Sequence, residues 1–190
     1  MSKSIITPLG SAPFKRSFSL TTPKREPLPR TWFLARGFKK VPVDLTDGKV
    51  LWAHPDGYFV SAYGQKVLHS YPPAHRTPGR QCHNGKRGNE YPRMRNFGGK
   101  DCHVLMAFTF HGARPEGCQC DHINGDVTDY SAANLEWVTP AENMRRAKYL
   151  RFMRKCNFDP RIFTTADFHH WFSMPFEDFK SFFIKYKEES

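Results

Sequence analysis

Residues 121–143 read Asp-His-Ile-Asn-Gly and onward, DHINGDVTDYSAANLEWVTPAEN in one-letter code. Cys118–Ile123 has the make-up of a short β element that carries Asp121 and His122 at its end. Asn124-Gly125 is a turn pair, Gly for the left-handed backbone and Asn for its local hydrogen bonds. Leu135-Glu136-Trp137-Val138-Thr139 is the expected return strand. Thr139 then suits a helix N-cap, Pro140 the first helical position, and Glu142 the far side of a Thr-x-x-Glu capping box. The helix is expected to run through AENMRRAKYLRFM until Asn157 and Pro160 end it. The result is a β–loop–β–helix unit whose helix packs across the hairpin, so its first turn can face the end of the first strand.

Several polar residues fall at informative places in that unit. Asp121 ends the first strand and Asn143 lies in the first helical turn, so their oxygens can hold one hard cation. Mg²⁺ accepts such a site, with few protein ligands and with water and phosphate completing the shell; Mn²⁺ is the alternative. His122 points to the opposite side of its strand from Asp121 unless the strand is ending or twisting there. A neutral imidazole in that place is suited to take a proton from water. Asn134, at the entry to the return strand, is a candidate to orient that ring. Asn124-Gly125 is read as a turn device, and Asp126 and Asp129 as solvated loop carboxylates. These parts fit phosphodiester hydrolysis, with basic residues bringing the polyanion. Arg145, Arg146 and Lys148 on the helix, and Arg76, Arg80, Lys86, Arg87, Arg93 and Arg95 upstream, are the candidate DNA contacts.

Composition supports a polyanionic partner. The chain of 190 residues has a formal net charge of +11 and a pI of about 9.6. The charge divides as +6 over residues 1–48, +4 over 49–150 and +1 over 151–190. Mean hydropathy is −0.63, and no apolar run approaches the roughly 20 residues that span a bilayer. The expectation from composition is therefore a polyanion as partner, nucleic acid or an anionic membrane surface. The cytoplasm of a bacterial or phage-infected cell and double-stranded DNA are what a family resemblance of residues 121–143 implies. With DNA as the polyanion, no membrane or small-molecule substrate is expected, and a monomer is favoured. Five cysteines without a secretory signal suit a reducing compartment. Cys118-Gln-Cys120 is read as a pair of strand thiols, with structural zinc the minor alternative.

The rest of the chain divides around the quoted stretch. Residues 1–48 are expected to form a basic, largely irregular arm, with Pro8, Pro13, Pro23, Pro27 and Pro29 opposing a sustained helix. Residues 49–100 read as a β-rich, DNA-contacting region. KVLWA is a strand candidate there, and GYFVSAYGQKVLHS holds two strands around Ala62-Tyr63-Gly64. A long polar loop covers 71–90. YPRMRNF, GGK and CHVLMAFTF then read as a hairpin whose second arm is a core strand or a short buried helix. In residues 157–190, Phe168, Trp171 and Phe172 and then Phe176, Phe179, Phe183 and Tyr186 fall at helical spacing, broken at Ser173-Met174-Pro175. This tail carries −2, which favours a helical hairpin packed on the core over a DNA-reading element.

DHINGDVTDYSAANLEWVTPAEN resembles the core of HNH endonucleases, particularly the homing-endonuclease-like group of phages and mobile introns. The matching positions are Asp121, His122, Gly125, Asn134, Leu135, Trp137, Val138, Thr139, Glu142 and Asn143. CHVLMAFTF is similar to the vHrLVAxaF segment that precedes that core, with His103 at the His position and Val104 where the family has Arg. GYFVSAYGQKV is similar to a GYxVSnxGxV module, with one extra residue before the Val. Asp129-Tyr130-Ser131 stands where the family often has Asp-Asn-Arg. The resemblance implies an α+β protein with a ββα-metal (His-Me finger) core over 101–156, a preceding small antiparallel β region and a C-terminal helical hairpin. It implies a metal-dependent DNA endonuclease of the HNN variant. In that reading Asp121 and Asn143 hold one divalent ion, His122 is the general base and Asn134 supports it. The rivals are a DNA-binding module that keeps the fold without cleaving, and an interaction protein acting through its helical tail. His103 is expected to be a hydrogen-bonded core histidine rather than a catalyst, and Trp137 a core residue.

Overall fold

The structure, a computed structural model, describes residues 26–69 and 91–189, without the side chains of 187–189. Most of the expected arm lies outside the described residues, as do the 71–90 loop and the candidate contacts Arg76, Arg80, Lys86 and Arg87. Helices and antiparallel strands occupy separate stretches of the chain, an α+β arrangement. No helix among the described residues is long and apolar enough to cross a membrane.

A four-stranded antiparallel meander comes first: β1 (Lys39–Lys40), β2 (Leu51–His54), β3 (Tyr58–Ser61) and β4 (Lys66–Val67). Its two central strands show why KVLWA and YFV look continuously apolar. Side chains alternate faces along a strand, and both faces of this sheet are covered. Leu51, Ala53 and Phe59 enter the main core, whereas Trp52 and Val60 enter a second cluster with Phe33 and Phe38. Phe33 sits on α1 (Arg30–Leu34) and stacks on Trp52, with ring centroids 4.3 Å apart. Residues 30–41 are thus not part of an irregular arm, because Phe33, Phe38 and Val41 are buried. Each buried Phe stabilises by about 1.5–3 kcal/mol, enough to tie this basic stretch to the sheet.

The expected hairpin after the loop is only two residues per arm, β5 (Arg93–Met94) against β6 (Lys100–Asp101). CHVLMAFTF is a helix, α2 (Cys102–His111), not a strand. Cys102, His103, Leu105, Met106 and Ala107 are all buried, so α2 has no polar face to mark it as helical. It fills the main core between the sheet and a second hairpin, β7 (Gln119–His122) with β8 (Leu135–Val138). Then comes α3 (Pro140–Lys155), followed by α4 (Thr165–Ser173) and α5 (Phe176–Glu189). Ile123, Tyr149, Leu150 and Met153 meet Phe168, Trp171, Phe172, Phe179 and Phe183 in a third core, so the tail packs on α3 as expected. The Tyr149 hydroxyl donates to the Met174 carbonyl at 2.7 Å and fixes the α4–α5 junction to α3.

Candidate active site

In the β7–β8 hairpin His122 pairs with Leu135 and Asp121 with Glu136. Thr139 caps α3 by accepting from the Glu142 backbone N–H at 3.2 Å. The capping box is only half made. The Glu142 carboxylate binds Arg145 and Arg146 instead, at 2.7–2.8 Å. Those charge-assisted bonds outweigh a return to the Thr139 N–H, and bonding to Arg145 first of all holds the Glu142 carboxyl down at about 2.

Asp121 and His122, both buried, face different neighbours, as alternation along a strand requires. Asp121 meets α3: its Oδ2 lies 3.6 Å from Arg146 Nη1, too far for a hydrogen bond. That oxygen is buried and has no hydrogen-bond partner. Burial raises the Asp121 carboxyl to about 6, against the opposing pull of Arg146. Arg146 is itself buried, which corrects its expected place among the DNA contacts. It is bonded to Glu136 at 2.7 Å and Glu142 at 2.8 Å, and its guanidinium lies 5.1 Å from the Phe172 ring centroid of α4. Its charge is thus already matched by two carboxylates, and the Asp121 oxygen is left over.

Asn143 and Arg146 are three residues apart and share a face of α3, so Asn143 lies one turn before the residue that approaches Asp121. Asn143 is half-buried, and its side chain makes no hydrogen bond to a described residue. Among the described residues no group of three or more His, Cys, Asp and Glu side chains could cage a metal. What is present is one unpaired buried carboxylate oxygen turned toward α3, the helix whose first turns carry the Asn143 amide. Such a sparse oxygen set fits a cation that keeps most of its water, as Mg²⁺ does.

His122 meets α2 and the start of the β5 segment. Its ring centroid is 4.9 Å from that of His103 and 5.9 Å from that of Tyr91, which stacks on it. His122 Nε2 and His103 Nδ1 are both buried without partners. His103 is therefore buried in the core as expected, and its Nδ1 has no hydrogen-bond partner among the described residues. Burial, and next the neighbouring His103, lowers the His122 imidazole to about 4; burial likewise lowers His103. Both rings are neutral at pH 7, so His122 keeps a lone pair for a proton.

Asn134 is not on the imidazole. Its Oδ1 accepts from the Asn124 N–H at 3.0 Å, and its Nδ2 donates to Asn124 Oδ1 at 3.0 Å and to the Asp129 carbonyl at 2.8 Å. Its backbone carbonyl also accepts from the Ile123 N–H at 2.9 Å. Asn134 fixes the two residues after His122, hence the end of the strand that carries the ring. Asn124 and Asp129 belong to the same network rather than to solvent, with Asn124 donating to Asp129 at 3.0 Å. Asp126 accepts from Thr128 at 2.7 Å. Gly125 has φ +68°, and a Cβ there would stand 2.8 Å from Leu150 and Arg154 of α3, so the turn also sets how closely the helix approaches.

The other candidate contacts are spread. Arg93 is paired with Asp101 at 2.7 Å; Arg95, Arg145 and Lys148 are exposed, with Lys148 Nζ 3.9 Å from the Phe176 ring centroid. Cys102 and Cys120 are raised to about 12 by burial, as inert structural thiols are. Trp137 is half-buried, packed edge-on to Phe108. Tyr91 and the burial of Arg146 against Asp121 had no signature in the sequence, and His103, although it falls at the His position of the vHrLVAxaF-like segment, was not expected beside His122.

Residues 100–145 match the family model described as HNH endonuclease. An uncharacterized HNH endonuclease of Acanthamoeba polyphaga mimivirus is 48% identical over 50 residues, which is 25% of this chain and 13% of that protein. No solved structure matches. The resemblance to HNH endonucleases is thus borne out over the stretch from β6 to the first turns of α3.

Proposed function

We propose that the protein is a metal-dependent DNA endonuclease whose β7–β8–α3 unit is a ββα-metal core. The observation that carries this reading is the buried, unpaired Asp121 Oδ2, beside a buried neutral imidazole on the next residue. A free-standing binding module gains nothing from retaining two such costly groups. Asp121 and Asn143 would hold one divalent ion, Mg²⁺ or Mn²⁺. When bound, it would stabilise the charge that builds on the phosphate and on the leaving 3′ oxygen. His122 takes the proton of the attacking water, and its low basicity keeps it unprotonated at neutral pH. Asn134 positions His122 by holding residues 123 and 124. Arg146 braces Asp121 from α3 rather than touching DNA. Arg95, Arg145 and Lys148 are the described residues proposed to contact the phosphate backbone, with Arg93 released from Asp101 as a further one. Arg76, Arg80, Lys86 and Arg87 join them from outside the described residues.

The test is plasmid DNA incubated with the full chain in Mg²⁺ or in EDTA. Relaxation or linearisation in Mg²⁺ alone is expected. Tight, salt-sensitive binding without cleavage on any DNA would replace this reading with the non-cleaving module.

A further inference from the structure

His103 and His122 come from different elements, α2 and β7, yet their rings lie 4.9 Å apart at the centroids, tilted by 53°. Each ring has one buried nitrogen without a partner: Nδ1 of His103 and Nε2 of His122. A buried polar atom left unpaired costs about 1–3 kcal/mol, and native proteins rarely tolerate two side by side. A neutral imidazole has one N–H donor and one lone-pair acceptor, assigned by its tautomer. The two unpaired atoms are therefore complementary, provided one ring donates and the other accepts. Tyr91 holds both rings in place, 4.5 Å from His103 and stacked on His122 at an interplanar angle of 16°.

The direction of the bond follows from access. If His103 donated, the lone pair of His122 would sit on the buried Nε2, out of reach of water. If His122 donates, its lone pair is on Nδ1, which is not among the buried unpaired atoms. We propose that His103 is a positioning residue for the general base. Its Nδ1 accepts a hydrogen bond from His122 Nε2–H, which fixes the His122 tautomer and leaves Nδ1 to take the proton of the attacking water. Rings 4.9 Å apart at their centroids are close enough for a nitrogen of one to reach hydrogen-bond range of a nitrogen of the other. Asn134, expected from sequence to orient the ring, acts on the loop, and His103 takes the ring itself. The catalytic consequence rests on His122 being the base; the pairing of the two rings does not.

The experiment is a long-range ¹H–¹⁵N correlation spectrum of the ¹⁵N-labelled full chain at neutral pH, with the His122 ring assigned from its loss in His122→Ala. Wild type is expected to show His122 with the proton on Nε2 and a bare Nδ1. His103→Ala should convert His122 to a mixture of tautomers and lower kcat for plasmid cleavage about 10–100-fold, the usual loss for a residue that orients a functional imidazole. His103→Asn places an amide oxygen near the former Nδ1. It should restore the Nε2–H tautomer and bring kcat to within several-fold of wild type. A wild-type His122 protonated on Nδ1 overturns the proposal, whatever the variants do. So does a tautomer that His103→Ala leaves unchanged, or an Asn variant no better than Ala. If the wild-type chain cleaves no DNA, the nuclease reading fails on its own, and the spectra still decide the pairing.

Discussion

Two polar regions adjoin in this molecule and are treated in opposite ways. In the loop between β7 and β8, Asn124, Asp126, Asp129 and Asn134 bond to one another, to Thr128 and to the backbone. Beside it, on the two faces of β7, Asp121 Oδ2, His122 Nε2 and His103 Nδ1 are buried with nothing bonded to them among the described residues. The loop's polar groups hold up the fold. The unpaired groups on β7 and α2 weaken it, the cost that the proposed metal-binding and positioning roles account for. Substitutions should therefore separate the two: variants of the unpaired groups lose activity and keep stability, and loop variants lose stability first.

The largest effect is expected at His122. His122→Ala should lower cleavage by at least about 100-fold, compared at equal folded protein; equal activity would remove His122 as the base. Next is Asn134→Ala, which strands the Asn124 N–H and the Asp129 carbonyl. A loss of about 2–4 kcal/mol is expected in urea titration, and a loss below about 0.5 kcal/mol would refute the structural role of the loop.

Asp121 and His122 then sharpen the comparison through pH. A carboxyl raised from 3.8 to about 6 binds its proton more tightly when folded, so it adds stability below about pH 4 that is lost as pH rises to 6. His122, lowered from 6.5 to about 4, does the reverse: the unfolded chain takes its proton first, and stability falls as pH drops from 6.5 to 4. The two slopes oppose each other across pH 4–6. In EDTA, Asp121→Asn should leave stability rising with pH in that window, and His122→Ala should leave it falling. Asp121→Asn should also be more stable than wild type at pH 7, by about 3 kcal/mol. If Asp121 holds the ion, 10 mM Mg²⁺ should raise the melting temperature of wild type by a few degrees and leave that of Asp121→Asn unchanged. Parallel slopes in the two variants would contradict the assigned burial of these groups. The smallest effect is that of Thr139→Ala, about 1 kcal/mol for one N-cap bond; a change above about 2 kcal/mol would mean that the capping box closes after all.

Much of this was legible in the sequence, for physical reasons that also mark where reading failed. β2, β3 and the β7–β8–α3 unit carry turn pairs, alternation and a capped helix start, all local signals. The break at Ser173-Met174-Pro175 and the aromatic spacing likewise disclosed α4 and α5. α2 was ambiguous because a helix apolar on almost every side has no period to show. α1 and β1 were hidden by basic neighbours; only the docking of Phe33 on Trp52 reveals them. Asp121, His122 and Asn143 are singled out by residue type and spacing, which are local features. The partners of Asn134, the burial of Arg146 and the approach of His103 depend on which faces meet, and no local pattern contains that.

The most direct measurement is the initial rate of plasmid nicking by wild type and by Asp121→Asn, in Mg²⁺ and in EDTA, with folding checked by circular dichroism. Cleavage by wild type only in Mg²⁺, with the folded Asn variant reduced at least about 100-fold, is the expected result. Equal cleavage by the two proteins, or cleavage that persists in EDTA, would contradict the assignment of the buried Asp121 oxygen to a metal.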